Sequence, residues 1–264
     1  MAKTYDTLLL DRPEPALLRV TLNRPSAANA INTRMMEELL DLWTGLIAGH
    51  GKTRCVVLTG AGTRAFCAGA DLKERQGMDD EAWLAQHDII EQAQKMLLAC
   101  PVPVIAAVNG AAFAGGLELA LACDFIYAVA AARFALTETT LGIMPGAGGT
   151  QTLSRAAGAR RAKEIILAGK PFTAEQAHDW GIVNRLCAPG ALMDETLDTA
   201  RAIAANAPLA VRQARQSIDG GAALPLDKAM LHEIECYEKL IATADRREGI
   251  SAFNQKRKPR FTGR

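Results

Sequence analysis

Two glutamates are set among residues that do not normally accompany a surface carboxylate. Glu118 sits in Gly115-Gly116-Leu117-Glu118-Leu119-Ala120-Leu121-Ala122, and Glu138 in Phe134-Ala135-Leu136-Thr137-Glu138-Thr139-Thr140-Leu141-Gly142. Small and apolar neighbours imply a buried face for Glu118, and a carboxylate is rarely buried without a partner. Burial disfavours the charged form and raises a carboxyl pKa, which is the direction that proton transfer near neutrality needs. Two such groups could divide acid and base work between them. The bland alternatives are a structural Glu118 hydrogen-bonded to nearby backbone and an exposed Glu138 at a helix start, favoured by the macrodipole. The bland reading is the stronger for Glu138, and the residues alone leave both open.

Two glycine-rich stretches could bring backbone N–H groups against a ligand. Gly142-Ile143-Met144-Pro145-Gly146-Ala147-Gly148-Gly149-Thr150 turns into a helix. It is not a P-loop, because Gly149 is followed by Thr150 and Gln151 instead of Lys-Ser/Thr; a helix cap and turn would explain some of its glycines but not all. Phe66-Cys67-Ala68-Gly69-Ala70-Asp71-Leu72 follows a strand and is the second stretch. Between that strand and this stretch, Gly60-Ala61-Gly62-Thr63-Arg64-Ala65 matches G-x-G-x-x-A, with Asp79 to Glu81 placed as a dinucleotide fingerprint requires. The fingerprint should open an amphipathic helix at once, whereas Phe66 to Asp71 continues in small residues. His50, His87, His178 and His232 form no H-E-x-x-H and lie near no cysteine pair, so no metal site is expected. There is no G-x-S-x-G.

The elements that must position these residues alternate. Ala16 to Leu22, Cys55 to Thr59, Val104 to Val108 and Phe125 to Val129 read as strands. Asn32 to Ala48, with Asn32 as N-cap, Asp80 to Ala99, Gly116 to Cys123 and Thr150 to Gly169, broken near Gly158, read as helices. Alternation argues for a parallel α/β sheet. From Ala191 onward the signals are helical: Asp194 to Asn206, Pro208 to Ile218, Pro225 to Ala242 and Asp245 to Gln255. We therefore expect a mixed core over residues 1–190 and a helical region over 191–264, with no internal repeat.

Composition restricts the function classes. The chain has 264 residues, 49% hydrophobic and 22% charged, which is a globular balance. At about 150 residues per domain it holds one or two domains. A net charge of +1 supplies no field towards nucleic acid or an anionic membrane. Six scattered cysteines without C-x-x-C suit reduced thiols in a cytosol, and Met1 to Pro15 lack the apolar run of a signal peptide; a cytoplasmic location is expected. Val102 to Leu136 is apolar enough to suggest a membrane span, but Gly110, Gly115 and Gly116 interrupt it and Glu118, Asp124 and Arg133 would be costly at mid-membrane. No membrane association is expected.

Taken in order and spacing, F-C-A-G-A-D-L, P-V-I-A-A-V-N-G, G-G-L-E-L-A-L-A-C-D and T-E-T-T-L-G-I-M-P-G-A-G-G-T-Q resemble the enoyl-CoA hydratase/isomerase, or crotonase, family, from about Leu22 to the C-terminus. The resemblance implies a crotonase-like spiral of ββα units with a helical C-terminal trimerisation region, and assembly as a homotrimer or homohexamer. It implies an oxyanion hole from the backbone N–H groups of Ala68 and Gly115, Glu118 as base, Glu138 as acid, and Gly146 placing the water. Coenzyme A, as part of an acyl-CoA substrate and not a separate cofactor, would contact Ala28, Ala68, Gly69, Ala70, Asp71 and Leu72, with Phe253 and Lys256 reaching it from a neighbouring subunit. The basic end could equally be a solvated tail. Both hydratase glutamates are present, which favours hydration of a 2-enoyl-CoA to the 3-hydroxyacyl-CoA over double-bond isomerisation.

Within the family, C-A-G-A-D-L-K-E-R is similar to the AU-binding methylglutaconyl-CoA hydratases, so a substrate with a distal carboxylate is the alternative. Lys73 or Arg75 would then supply a cation near the acyl pocket. RNA binding is not expected, since Asn32 to Ala48 carries only Arg34 as a basic residue. A non-enzymatic dinucleotide or RNA-binding module is the remaining class.

Overall fold

The computed structural model describes residues 3–264. It opens with β1 (Leu8–Asp11) antiparallel to β2 (Leu17–Leu22), followed by α1 (Thr33–Ala48). Asn32 caps α1 by accepting from Met35 N at 3.1 Å, and Met35, Leu39, Leu42 and Leu46 form its buried face. Three turns of similar construction then succeed one another. The first is β3 (Cys55–Gly60), β4 (Ala65–Cys67), α2 (Leu72–Arg75) and α3 (Asp80–Leu98). The second is β5 (Val104–Val108), β6 (Ala111–Phe113) and α4 (Gly115–Leu121). The third is β7 (Phe125–Val129), β8 (Arg133–Ala135), a 3-10 turn over Glu138–Leu141 and α5 (Gly149–Ala168), which breaks at Gly158. After them come β9 (Phe172–Thr173), α6 (Ala174–Asp179) and β10 (Arg185–Cys187).

Each turn gives its first strand to one sheet and its second to another. The six-stranded sheet has the order β1-β2-β3-β5-β7-β10 and the four-stranded sheet β4-β6-β8-β9. Within the turns every pairing is parallel, with Val56 beside Val104 and Ile105 beside Phe125 in the first sheet. The chain therefore winds as a spiral of strand-strand-helix turns.

Strands β3 and β5 are uninterrupted apolar runs because both their faces are covered. Val56, Leu58, Val104 and Ala106 pack with Leu39, Trp43 and Leu97 on one side. Val57, Ile105 and Ala107 pack on the other side with Leu192, Leu197 and Ala200 of α7 (Leu192–Ala205). The cover of the sheet thus extends past the boundary drawn at residue 190. Helices α8 (Pro208–Gly221), α9 (Leu226–Ile241) and α10 (Ala244–Asn254) follow without a strand and leave Leu226, Met230, Ile234, Tyr237 and Phe253 exposed.

The four-stranded sheet departs from the sequence reading. Its strands are two or three residues long, too short to display a period of two, and their pairing comes from the winding of the spiral. The apolar stretch Val102 to Leu136 divides among β5, β6, α4, β7 and β8, and no described helix is long and apolar enough to cross a membrane. The G-x-G-x-x-A segment runs from β3 into a strand instead of a helix, which removes the dinucleotide reading.

Candidate active site

The placement of Glu118 begins with backbone that only a determined surrounding could hold. Ala114, before α4, adopts φ 50° and ψ −126°, a strained conformation for a residue with a Cβ, and its N–H donates to Ala135 O at 2.8 Å. Gly116 has no room for a side chain: a Cβ there would lie 2.2 Å from Cys67 O. Helix α4 consequently rests directly on β4. Gln94 of α3 donates to Glu118 O at 3.0 Å and fastens the helix from the other side.

The Glu118 side chain is almost fully buried, and its Oε1 accepts from both Ala147 N and Gly149 N at 2.8 Å. Those donors come from the glycine-rich stretch Gly142 to Thr150. A Cβ on Gly149 would sit 2.8 Å from Glu118 Oε1, so only glycine lets this amide approach. Burial raises the Glu118 pKa, while the two N–H bonds and nearby His87 oppose the shift.

Glu138 is buried too, with 7% of its surface exposed, so the exposed helix-start reading is incorrect. Neither carboxyl oxygen makes a hydrogen bond of normal geometry among the described residues. Burial pushes its pKa up to about 7; its own backbone N–H offsets part of this and the Glu118 charge adds to it. Burial thus raises both carboxyls, and only Glu118 is offered backbone donors from another segment that favour its charged form. Because the two interact, their titrations belong to the pair.

Both glutamates line one cavity of about 180 Å³, together with Ala68, Ala70, Leu72, Gly115 and Gly146. Gly146 packs against an imidazole, since a Cβ there would meet His87 Cε1 at 2.7 Å. Ala28, Gly69 and Asp71 flank the cavity without lining it. Asp71 is occupied otherwise: its carboxylate caps α2 through Lys73 N at 3.1 Å and pairs with Arg24 at 2.9 Å. Phe253, 84% exposed, and Lys256 lie on the C-terminal helical region and do not reach the cavity of their own chain.

The Ala68 N–H, expected as an oxyanion donor, requires correction. It donates to Ala28 O at 3.1 Å. The residue two positions on is the one whose amide is free. Ile31 N donates to Gly69 O and Asp71 N to Ile31 O, both at 2.8 Å, so the ladder uses the groups on either side of Ala70. In a parallel ladder the intervening residue turns its own N–H the other way. Ala70 N lies 3.8 Å from where a Cβ on Gly115 would be, and among the described residues neither Ala70 N–H nor Gly115 N–H has an acceptor. Sequence spacing alone could not distinguish Ala68 from Ala70.

Helix α3 supplies residues that the sequence reading missed. Trp83, His87, Ile90 and Gln94 recur at helical spacing and line the cavity from one face. Their periodicity was visible in the sequence, but a polar and aromatic mixture gave no sign of what the face covered. Of the two cations considered, Arg75 lines the cavity, whereas Lys73 is exposed and does not.

Comparison with known proteins bears on the family and the fold. Residues 12–264 match the family model described as enoyl-CoA hydratase/isomerase. The human mitochondrial enoyl-CoA hydratase domain-containing protein 2 is 40% identical over 260 residues, covering 96% of this chain and 87% of the relative. The Escherichia coli 2,3-dehydroadipyl-CoA hydratase is 41% identical over 257 residues, covering 97% and 99%. The crystal structure of enoyl-CoA hydratase from Bacillus anthracis superposes with a TM-score of 0.96 at 42% identity, covering 98% of this chain and 100% of that one.

Proposed function

The chain belongs to the enoyl-CoA hydratase/isomerase family and has the crotonase fold, and from that premise we propose that it hydrates a 2-enoyl-CoA to the 3-hydroxyacyl-CoA. The observation that carries this reading is the pair of buried glutamates on one cavity, one held by two amides and the other by no hydrogen bond. Isomerisation needs a proton moved; hydration also needs a water held and deprotonated, and the pair divides those tasks.

In this reaction the thioester oxygen accepts from the N–H groups of Ala70 and Gly115, the latter at the start of α4. Each such donor is typically worth about 3–4 kcal/mol as the oxygen becomes enolate-like. Ionised Glu118 takes a proton from water as its oxygen bonds to Cβ, and the double-bond electrons move towards the thioester. Glu138 then donates its proton to Cα. Transfer of the proton from Glu118 to Glu138 restores the starting state. The Gly146 N–H helps to place the water. No cofactor is needed, coenzyme A being part of the substrate. The apolar side chains exposed on α8–α10 support assembly into trimers or hexamers, in which Phe253 and Lys256 meet a neighbour's coenzyme A.

The test is the disappearance of the enoyl-thioester absorbance of crotonyl-CoA. Rapid loss with the wild type establishes hydration. Failure to hydrate, combined with conversion of 3-enoyl-CoA to the conjugated isomer, would replace hydration with isomerisation.

A further inference from the structure

Arg75 is a cation set into the cavity wall that forms no ion pair among the described residues, although the Glu74 charge lies near it. Its Nε donates at 2.7 Å to Oε1 of Gln86, a buried side chain whose own amide donates to Thr33 Oγ1 at 2.8 Å and Glu74 Oε2 at 3.0 Å. The guanidinium carbon lies 4.4 Å from the centre of the Trp83 ring. One edge and one face of the group are thereby fixed, which leaves its two terminal amino groups. Neither has an acceptor among the described residues, and Arg75 forms no ion pair there, whereas Arg24, Arg34, Arg201, Arg215 and Arg257 all do. One oxygen of the neighbouring Glu74 carboxylate, Oε2, accepts from Thr33 N at 2.9 Å and from Gln86 at 3.0 Å, and the carboxylate makes no ion pair with Arg75.

The surroundings favour a ligand group over solvent. Arg75 and Trp83 share the cavity with both glutamates, and His87, on the Gly146 side, follows Trp83 by about one helical turn, or roughly 6 Å along α3. His87 is engaged with Glu91 at 3.5 Å. An acyl chain ending in a methyl group would cover this part-buried guanidinium while giving its terminal amino groups no acceptor, which is unfavourable. A carboxylate would meet two parallel N–H donors in the geometry that guanidinium provides and ammonium does not.

We propose that the acyl group bound here is short and ends in a carboxylate, which Arg75 holds by its two terminal amino groups. This assignment takes from the proposed function only that an acyl thioester enters the cavity.

Binding is measured by calorimetry with two unreactive thioesters, hexanoyl-CoA and its ω-carboxyl counterpart adipyl-CoA, on wild type, Arg75→Met and Arg75→Lys. The wild type should bind adipyl-CoA about 10- to 100-fold more tightly, the range expected for hydrogen bonds to a charged group. Arg75→Met should erase the difference and Arg75→Lys should keep part of it. Equal affinities in the wild type would overturn the assignment. So would an equal weakening of both ligands by Arg75→Met, which would put the guanidinium on the coenzyme A moiety. Hydration of hex-2-enoyl-CoA and hex-2-enedioyl-CoA is followed in parallel. Hydration of neither, with the adipyl preference intact, removes the hydratase reading and leaves Arg75 in place; equal hydration with no binding preference removes Arg75 alone.

Discussion

The first turn of α4 and the 3-10 turn after β8 each deliver a glutamate to the same cavity, but they surround it differently. At α4 the carboxylate is met by two amides from the Ala147–Gly149 segment, donors that favour its charge. At the 3-10 turn the carboxyl is buried with no hydrogen bond of normal geometry, and it is pushed up to about 7. Burial raises both of these identical side chains, and only at Glu118 do backbone donors oppose the shift from across the cavity.

The most severe way to break this division is to neutralise either group. Glu118→Gln and Glu138→Gln should each lower kcat for crotonyl-CoA by about 10²- to 10⁴-fold, the usual range for a lost general acid or base. The double variant should fall little further than the worse single one if the two act as a unit. Additive losses in absorbance assays would show that they do not.

Disturbing the donors without touching a carboxyl should cost less. Gly149→Ala forces a methyl group against Glu118 Cγ and Oε1 at 2.8 Å, and a displacement of that order lowers kcat by roughly 10²-fold. Circular dichroism of the variant distinguishes displacement from unfolding. An unaffected kcat would mean that the amide pair does not position the base.

A pH series sharpens the contrast. Glu138 must hold a proton and its pKa is about 7, so kcat/KM should fall as pH rises through that value, by up to tenfold per unit. The residual activity of Glu138→Gln should lack this alkaline limb. An unchanged limb would assign the acid to another group.

The smallest effect is on stability. The folded-state pKa of Glu138 lies above its ordinary 4.5, so the folded state binds the proton more tightly and Glu138 costs stability as pH rises from about 4.5 to about 7. Glu138→Gln should therefore be more stable than wild type above pH 7, by about 1–3 kcal/mol, and equal to it near pH 4. Urea unfolding at the two pH values measures the difference.

The long elements were legible because their signals are local. Asn32 caps α1 and Gly158 breaks α5 at the positions their chemistry indicates, and the doubly covered strands β3 and β5 announce themselves as apolar runs. β4, β6 and β8 were not legible, since three residues carry no period and their partners lie one turn of the spiral away. The exposed helix-start alternative for Glu138 had the same origin. Its polar neighbours Thr137, Thr139 and Thr140 describe a surface, and only packing against the rest of the cavity buries it.

What the sequence determined by itself was which residues have chemistry to offer and the glycines that let backbone come close, because residue type and chain flexibility are properties of single positions. The tertiary structure decided which of them meet. It turned the amide of Ala70, not Ala68, beside Gly115, gave Glu118 its two donors and withheld them from Glu138, and set Arg75 against Trp83 with no ion pair among the described residues. Those are relations between segments distant in the chain, and a ladder register or a missing hydrogen bond exists only once the segments are packed.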